Sequence, residues 1–244
     1  MYHDIFGLPR LMDNVGYIYP VKMKDYLDFC NYSWILRYEK AHTYVKSEEI
    51  SNFEAIIYRN FKCDLLEGFE GNDLIKVKIY AIGQIIKIVL KEEPRFDFEK
   101  NEFLLSGNRK INKNNYDEFR SIVMEQNLIM KEKIYKSKEL EQWFEKAKKT
   151  KEKENRNSNV DFEDIVSTIK NKTGCTYDEL LNETYYQLIT DFMRVIEISN
   201  HEDAVIFASQ VGTDKIKIEP ISKKIKLMQE DPDESLKKKF NSLL

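Results

Sequence analysis

Glycine and proline are scarce in this 244-residue sequence, with only 8 Gly and 5 Pro. That scarcity argues against a loop-rich all-β protein and favours long helices. Cysteine is scarcer still. Cys30, Cys63 and Cys175 are odd in number and have no paired spacing, so they are expected as reduced, mostly buried thiols. With no Cys-x-x-Cys pair and no Cys/His cluster, no structural zinc site is expected. The first nine residues lack a basic stretch followed by an apolar run, so they do not read as a signal peptide. Long hydrophobic runs are missing too. The most apolar window, Leu74 to Leu90, is interrupted by Lys76, Lys78, Gln84 and Lys87 and is too charged to span a bilayer. A cytoplasmic protein with no membrane partner is expected. Nor does one sign of charge dominate. Against 39 Lys and Arg stand 42 Asp and Glu, and a net charge of −3 gives no overall attraction to nucleic acid or anionic membrane.

Catalytic signatures are equally thin. His3, His42 and His201 are far apart, and none has a metal-ligand partner at helical spacing. Gly68 and Gly71 lack the neighbours of a phosphate-binding loop, and no Gly-x-Ser-x-Gly elbow occurs. The many carboxylates are scattered over helix surfaces, and nothing selects a pair for acid–base work. An enzyme is therefore not expected, and no cofactor is implied. The basic run 146–156 is interleaved with Glu152 and Glu154, as on a solvated helix surface. Asp161 to Ile198 has the outline of a helix-turn-helix. Its second helix is apolar and acidic, however, whereas a recognition helix needs polar and basic side chains to meet base edges. No nucleic-acid partner is expected.

What the sequence does carry is helix-forming pattern, rich in aromatics (14 Tyr and 14 Phe). Apolar spacing predicts a helix from Val21 to Tyr38 after an extended lead-in with a short strand at Val15–Tyr19. Ser47, followed by two glutamates, predicts the start of a helix running through Phe53, Ile56, Ile57 and Phe61 to stops at Gly68 and Gly71. Asp73 to Leu90 has strand-like β-branched content but helical length and spacing, and is read as a buried helix. Residues 95–106 read as a small β-hairpin that must lean on the helices. Asn114 or Asn115 caps a helix through Tyr116, Phe119, Ile122 and Val123. Ser137 starts another, with Leu140, Trp143, Phe144 and Ala147 in one stripe. The fold expected is mainly α, a multi-helix protein with a small β-hairpin. It divides into an α-rich domain at 1–154, a linker at 155–159 and a helical C-terminal domain at 160–244.

The richest stretch runs from Gly174 to Glu197. Gly174 suits a left-handed helix end. Thr176-Tyr-Asp-Glu179 and Thr184-Tyr-Tyr-Gln187 are two capping boxes eight residues apart. The helix from Tyr185 is apolar around most of its circumference, with Leu188, Ile189, Phe192, Val195 and Ile196 expected inward and a narrow polar stripe at Gln187, Asp191 and Arg194. Such a helix must bury nearly all its faces, in its own domain or against a partner. Another helix is expected at 201–211 and a last one at 236–243. Two readings of the helix from Tyr185 stand side by side. It is the core helix of its domain, or Tyr185, Tyr186, Phe192 and Arg194 form part of a partner groove, since Tyr and Arg anchor interfaces.

The pairing of Tyr116-Asp-Glu-Phe-Arg-Ser-Ile-Val-Met-Glu-Gln-Asn127 with Thr176-Tyr-Asp-Glu-Leu-Leu-Asn-Glu-Thr-Tyr-Tyr-Gln-Leu188 resembles tail-assembly proteins of tailed bacteriophages of Gram-positive bacteria. It is similar in particular to the tail assembly chaperones made just upstream of the tape-measure protein. The resemblance covers about a third of the chain. It implies a non-enzymatic protein of the bacterial cytoplasm that binds the apolar helices of the tape measure and helps recruit tail-tube subunits. A virion structural component, such as a neck or baseplate adaptor, is the alternative, followed by a small regulatory enzyme.

Overall fold

Apolar spacing and turn chemistry set most of the element boundaries. The structure is a computed structural model and describes residues 2–44, 49–61, 71–132, 161–212, 218–222, 225 and 227. A short helix, α1 (Tyr2–Ile5), leads into an antiparallel pair, β1 (Arg10–Met12) and β2 (Gly16–Ile18), in which Leu11 faces Tyr17. Gly16 has φ +107, and a Cβ there would collide with the Arg109 guanidinium, so this turn requires glycine. Next come α2 (Met23–Ser33) and two 3-10 turns, Trp34–Arg37 and Lys40–His42. α3 (Asn52–Tyr58) is nucleated by a capping box of Ser51 and Glu54, later than the expected start at Ser47, which lies outside the described residues. It ends before Phe61, which instead bridges to Thr43.

Gly71, expected to stop a helix, opens one. α4 (Gly71–Leu90) confirms the helical reading of the β-branched window. The expected hairpin is present as β3 (Arg95–Asp97) and β4 (Glu102–Leu104), and β5 (Lys110–Ile111) extends it to three antiparallel strands. α5 (Tyr116–Gln126) follows, and later in the chain come α6 (Phe162–Thr173), α7 (Tyr177–Asn182) and α8 (Tyr185–Val211). The protein is mainly α with two small antiparallel sheets. The expected helix at 137–147, the linker at 155–159 and the expected helix at 236–243 all lie outside the described residues.

α4 runs through the main core. Its Ile79, Ala81, Ile82, Ile85, Ile86 and Val89 meet Phe29 of α2, Phe53, Ile56 and Ile57 of α3, Phe103 of β4, and Tyr116, Phe119 and Val123 of α5. Fully burying each such side chain contributes about 1.5–3 kcal/mol, so this body holds most of the stabilising apolar area. Backbone groups that no sheet satisfies are met by side chains. Gln126 Nε2 donates to Ile18 O (3.2 Å), Asn127 Oδ1 accepts from Val21 N–H (3.0 Å), and Arg109 Nη1 donates to Val15 O (2.7 Å). Arg10 joins three elements, bonding Asp4 through Nε and Nη2 and Glu125 through Nη1. Lys78 is fully buried on α4 and has no carboxylate partner among the described residues. Its Nζ donates to Arg59 O (2.5 Å) and sits 4.2 Å from the centre of the Phe61 ring, and burial lowers its pKa to about 8.

α6, α7 and α8 form an arm around a smaller cluster of Ile169, Leu180 and Leu188, against which Met23, Ile165, Val166, Cys175 and Phe192 pack. Phe162 is exposed on the first turn of α6. Cys30 is likewise exposed, contrary to the expectation of mostly buried thiols, because it lies on the outer side of α2.

Candidate partner-binding surface

Turn chemistry at 173–187 builds the arm and sets the direction of α8. Gly174 takes φ +77 at the end of α6, the left-handed geometry glycine adopts without a Cβ penalty. In the first capping box Thr176 N–H donates to Glu179 Oε2 (2.8 Å) and Glu179 N–H to Thr176 Oγ1 (3.3 Å). In the second, Thr184 N–H donates to Gln187 Oε1 (2.8 Å) and Gln187 N–H to Thr184 Oγ1 (3.2 Å). Both boxes therefore form as the spacing predicted. Gln187 does more than cap, because its Nε2 also donates to Ile5 O (3.0 Å) of α1.

That bond belongs to a junction between the arm and the body. Met23 N–H donates to Glu183 O (2.8 Å), Lys22 pairs with Thr184 as an isolated bridge, and Tyr185 stacks on Tyr26 with ring centres 4.3 Å apart. Two carboxylates lie on the α7–α8 side of the same region. Burial raises the pKa of Glu183, helped by the negative charges of Asp191 and Glu179, and burial raises that of Asp191. Glu183 Oε2 is buried without a hydrogen-bond partner, which makes its charge costly. A shallow recess here is lined by Asp178, Glu179, Asn182, Glu183 and Gln187.

The four residues read as a partner groove are all half-buried. Tyr185 is occupied by the stack on Tyr26. Burial raises the pKa of Tyr186, and the Asp4 charge adds to the effect. Phe192 packs on the arm cluster. Arg194 Nη1 donates to Ile221 O (2.6 Å). Their helical spacing carried no information about the body or the 218–222 segment, which supply these contacts.

α8 itself differs from expectation. The helices foreseen at 185–196 and 201–211 are one continuous helix of 27 residues, because neither Gly nor Pro interrupts it. Leu188 and Ala208 are buried, the other residues foreseen inward are half-buried, and Val205, Ile206 and Phe207 are exposed at 43%, 58% and 57%. The segment 218–221 runs antiparallel along one side, held by the Arg194 bond and by His201 Nδ1–H donating to Glu219 O (2.8 Å). Ile198, Val205 and Ile206, at i, i+7 and i+8, share another side, and Phe207 lies about 100° beyond Ile206. Sequence reasoning gave a helix at 201–211 but not this surface, because apolar spacing does not tell an exposed side from a covered one.

A second apolar patch lies at the other end of the chain, where Phe6, Leu8, Leu11 and Tyr17 are exposed. Elsewhere, His42 is absorbed by structure. Its Nδ1 accepts from Glu39 N–H (2.9 Å), so Nε2–H faces Glu132 O (3.1 Å). Among the described residues no three His, Cys, Asp or Glu side chains are grouped to hold a metal ion. Also among them, no helix is long and apolar enough to cross a membrane.

Residues 149–226, which include the whole arm, match a family model described as the YomV second domain. Nearly the whole chain is similar to a phage-derived protein. That relative is the SPbeta prophage-derived uncharacterized protein YomV of Bacillus subtilis (strain 168), 26% identical over 237 residues, which cover 93% of this chain and 90% of the relative. No solved structure matches the chain.

Proposed function

We propose that this chain is a phage tail assembly chaperone, a non-enzymatic protein that binds the apolar helices of a tape-measure protein while the tail is built. The observation that carries the proposal is the exposed apolar side of α8 at Ile198, Val205 and Ile206. Isolated exposed apolar residues are ordinary, but several along one face of a long helix are a docking surface for another helix. Similarity to a prophage-derived protein supports a phage role, and the resemblance of the capping-box pattern to tail-assembly proteins favours the tail within it. Its place would be the host cytoplasm, without cofactor, nucleic acid or membrane.

The test is co-expression with the tape-measure protein encoded by the same phage, followed by purification of the complex and of finished particles. A chaperone keeps the tape measure in solution and is missing from particles. Retention in particles at fixed stoichiometry, with no effect on tape-measure solubility, would make the chain a neck or baseplate component and overturn the proposal.

A further inference from the structure

The segment beside α8 turns back toward the exposed part of that helix. Glu219 O meets His201 and Ile221 O meets Arg194, so as far as Ile221 this segment runs toward the start of α8. A tight turn at Ile221–Ser222 then reverses the chain. From Arg194 to Val205 the helix rises about 16 Å, and an extended chain covers that distance in about five residues. That far past the turn stands Leu227, which like Ile225 is half-buried, so the chain still lies on the protein there. Residues 228–244, outside the described part of the structure, therefore leave from the end of α8 that carries Val205 and Ile206. Pro232 and four acidic residues come first. Leu236, Phe240, Leu243 and Leu244 follow at i, i+4, i+7 and i+8, the spacing of one helix face.

We infer that residues 236–244 dock on the exposed side of α8, over Ile198, Val205 and Ile206, and in the free chain occupy the surface a partner helix would take. This rests on the partner-binding reading of α8 and adds an internal competitor to it. The chain's own path selects this occupant. A stretch tethered by about eight residues reaches roughly 15 Å and is present at millimolar effective concentration, whereas a second copy or a separate protein must come from dilute solution. Apolar contact too weak to join separate molecules then suffices to hold this stretch on α8. A partner helix binds only those chains in which the site is open, so its apparent affinity falls in proportion to the open fraction. The cover also shields exposed apolar side chains from other association until the partner is made.

The experiment places the photo-crosslinking residue p-benzoylphenylalanine at position 206 of the full chain, held at micromolar concentration, and maps the products by mass spectrometry. Crosslinking within one chain to a peptide from 228–244 is expected. Phe240→Asp should lower that yield severalfold while circular dichroism stays unchanged, and Leu236→Asp should act in the same way. A synthetic helical peptide of about 18 residues with a leucine stripe, followed by fluorescence anisotropy, should bind Phe240→Asp about tenfold more tightly than the parent chain. Crosslinking between chains that grows with concentration would make a second copy the occupant and overturn the inference. Crosslinks only to other parts of the chain, with the peptide bound equally by the parent and Phe240→Asp, would also overturn it and leave α8 standing as a partner surface. If the 228–244 crosslink forms but neither protein binds the peptide, the competition falls together with the partner reading of α8.

Discussion

Leu188→Ala separates the arm from the body energetically. Leu188 is fully buried, and with Ile169 and Leu180 it makes up the whole fully buried apolar set of the arm cluster. Truncating a buried leucine costs about 2–5 kcal/mol, depending on how far the site relaxes. The middle of that range, about 3 kcal/mol, corresponds to roughly a hundredfold change in a local opening equilibrium. The loss should stay local. The body has its own much larger cluster through α4 and α5, and the arm meets it at a junction that includes the Tyr26–Tyr185 stack, the Gln187–Ile5 and Met23–Glu183 bonds, the Lys22–Thr184 bridge and Met23 against the arm cluster. Hydrogen exchange read by mass spectrometry on peptides from α4, α5, α6 and α8 is the assay. Protection in α6 and the first half of α8 should fall by about two orders of magnitude, while α4 and α5 stay unchanged. Equal loss in α4 and α5 would show one cooperative unit and refute the reasoning. No loss in α8 would show that Leu188 is not a packing centre.

Further outcomes follow from buried charge. Lys78 keeps its proton up to about 10.5 when unfolded but only to about 8 when folded, so between those values folding releases a proton and stability rises with pH. The stability difference between Lys78→Met and the parent chain should therefore move by about 2 kcal/mol in the parent's favour between about pH 6.5 and pH 9.5. Urea unfolding at the two pH values measures this, and a constant difference would contradict a charged, fully buried Lys78. Glu183 behaves in the opposite sense. Its carboxyl has a folded pKa raised above 4.5, so its protonated form favours the docked arm, and that contribution is lost as pH rises through the folded value. Arm protection should decline as pH rises above 4.5 in the parent and decline less in Glu183→Gln, because the amide has no charge to desolvate. Equal pH dependence in the two proteins would remove Glu183 from the effect.

Local chemistry was legible in the sequence wherever the interaction closes within a few residues. The two capping boxes, the left-handed Gly174, the hairpin and the helix from Tyr116 all formed as expected, because each closes on neighbours within about ten positions. Long apolar spacing was sufficient for α4 as well. Two boundaries were misread. Gly71 opens a helix rather than closing one, and α3 begins at Asn52 behind its Ser51 cap.

The candidate site was only half legible. The sequence by itself determined that a long apolar helix begins at Tyr185, since Thr184 and Gln187 satisfy its first backbone N–H groups. Only the tertiary structure decided which of its faces are used. Tyr185 meets Tyr26 across 159 positions of sequence, Arg194 and His201 hold residues 219–221 against one side, and Val205, Ile206 and Phe207 remain outside. Helical periodicity records that a side chain is apolar and where it points around its own axis. Burial, by contrast, is set by what other segments bring to that side, and a one-dimensional pattern holds no information about that approach.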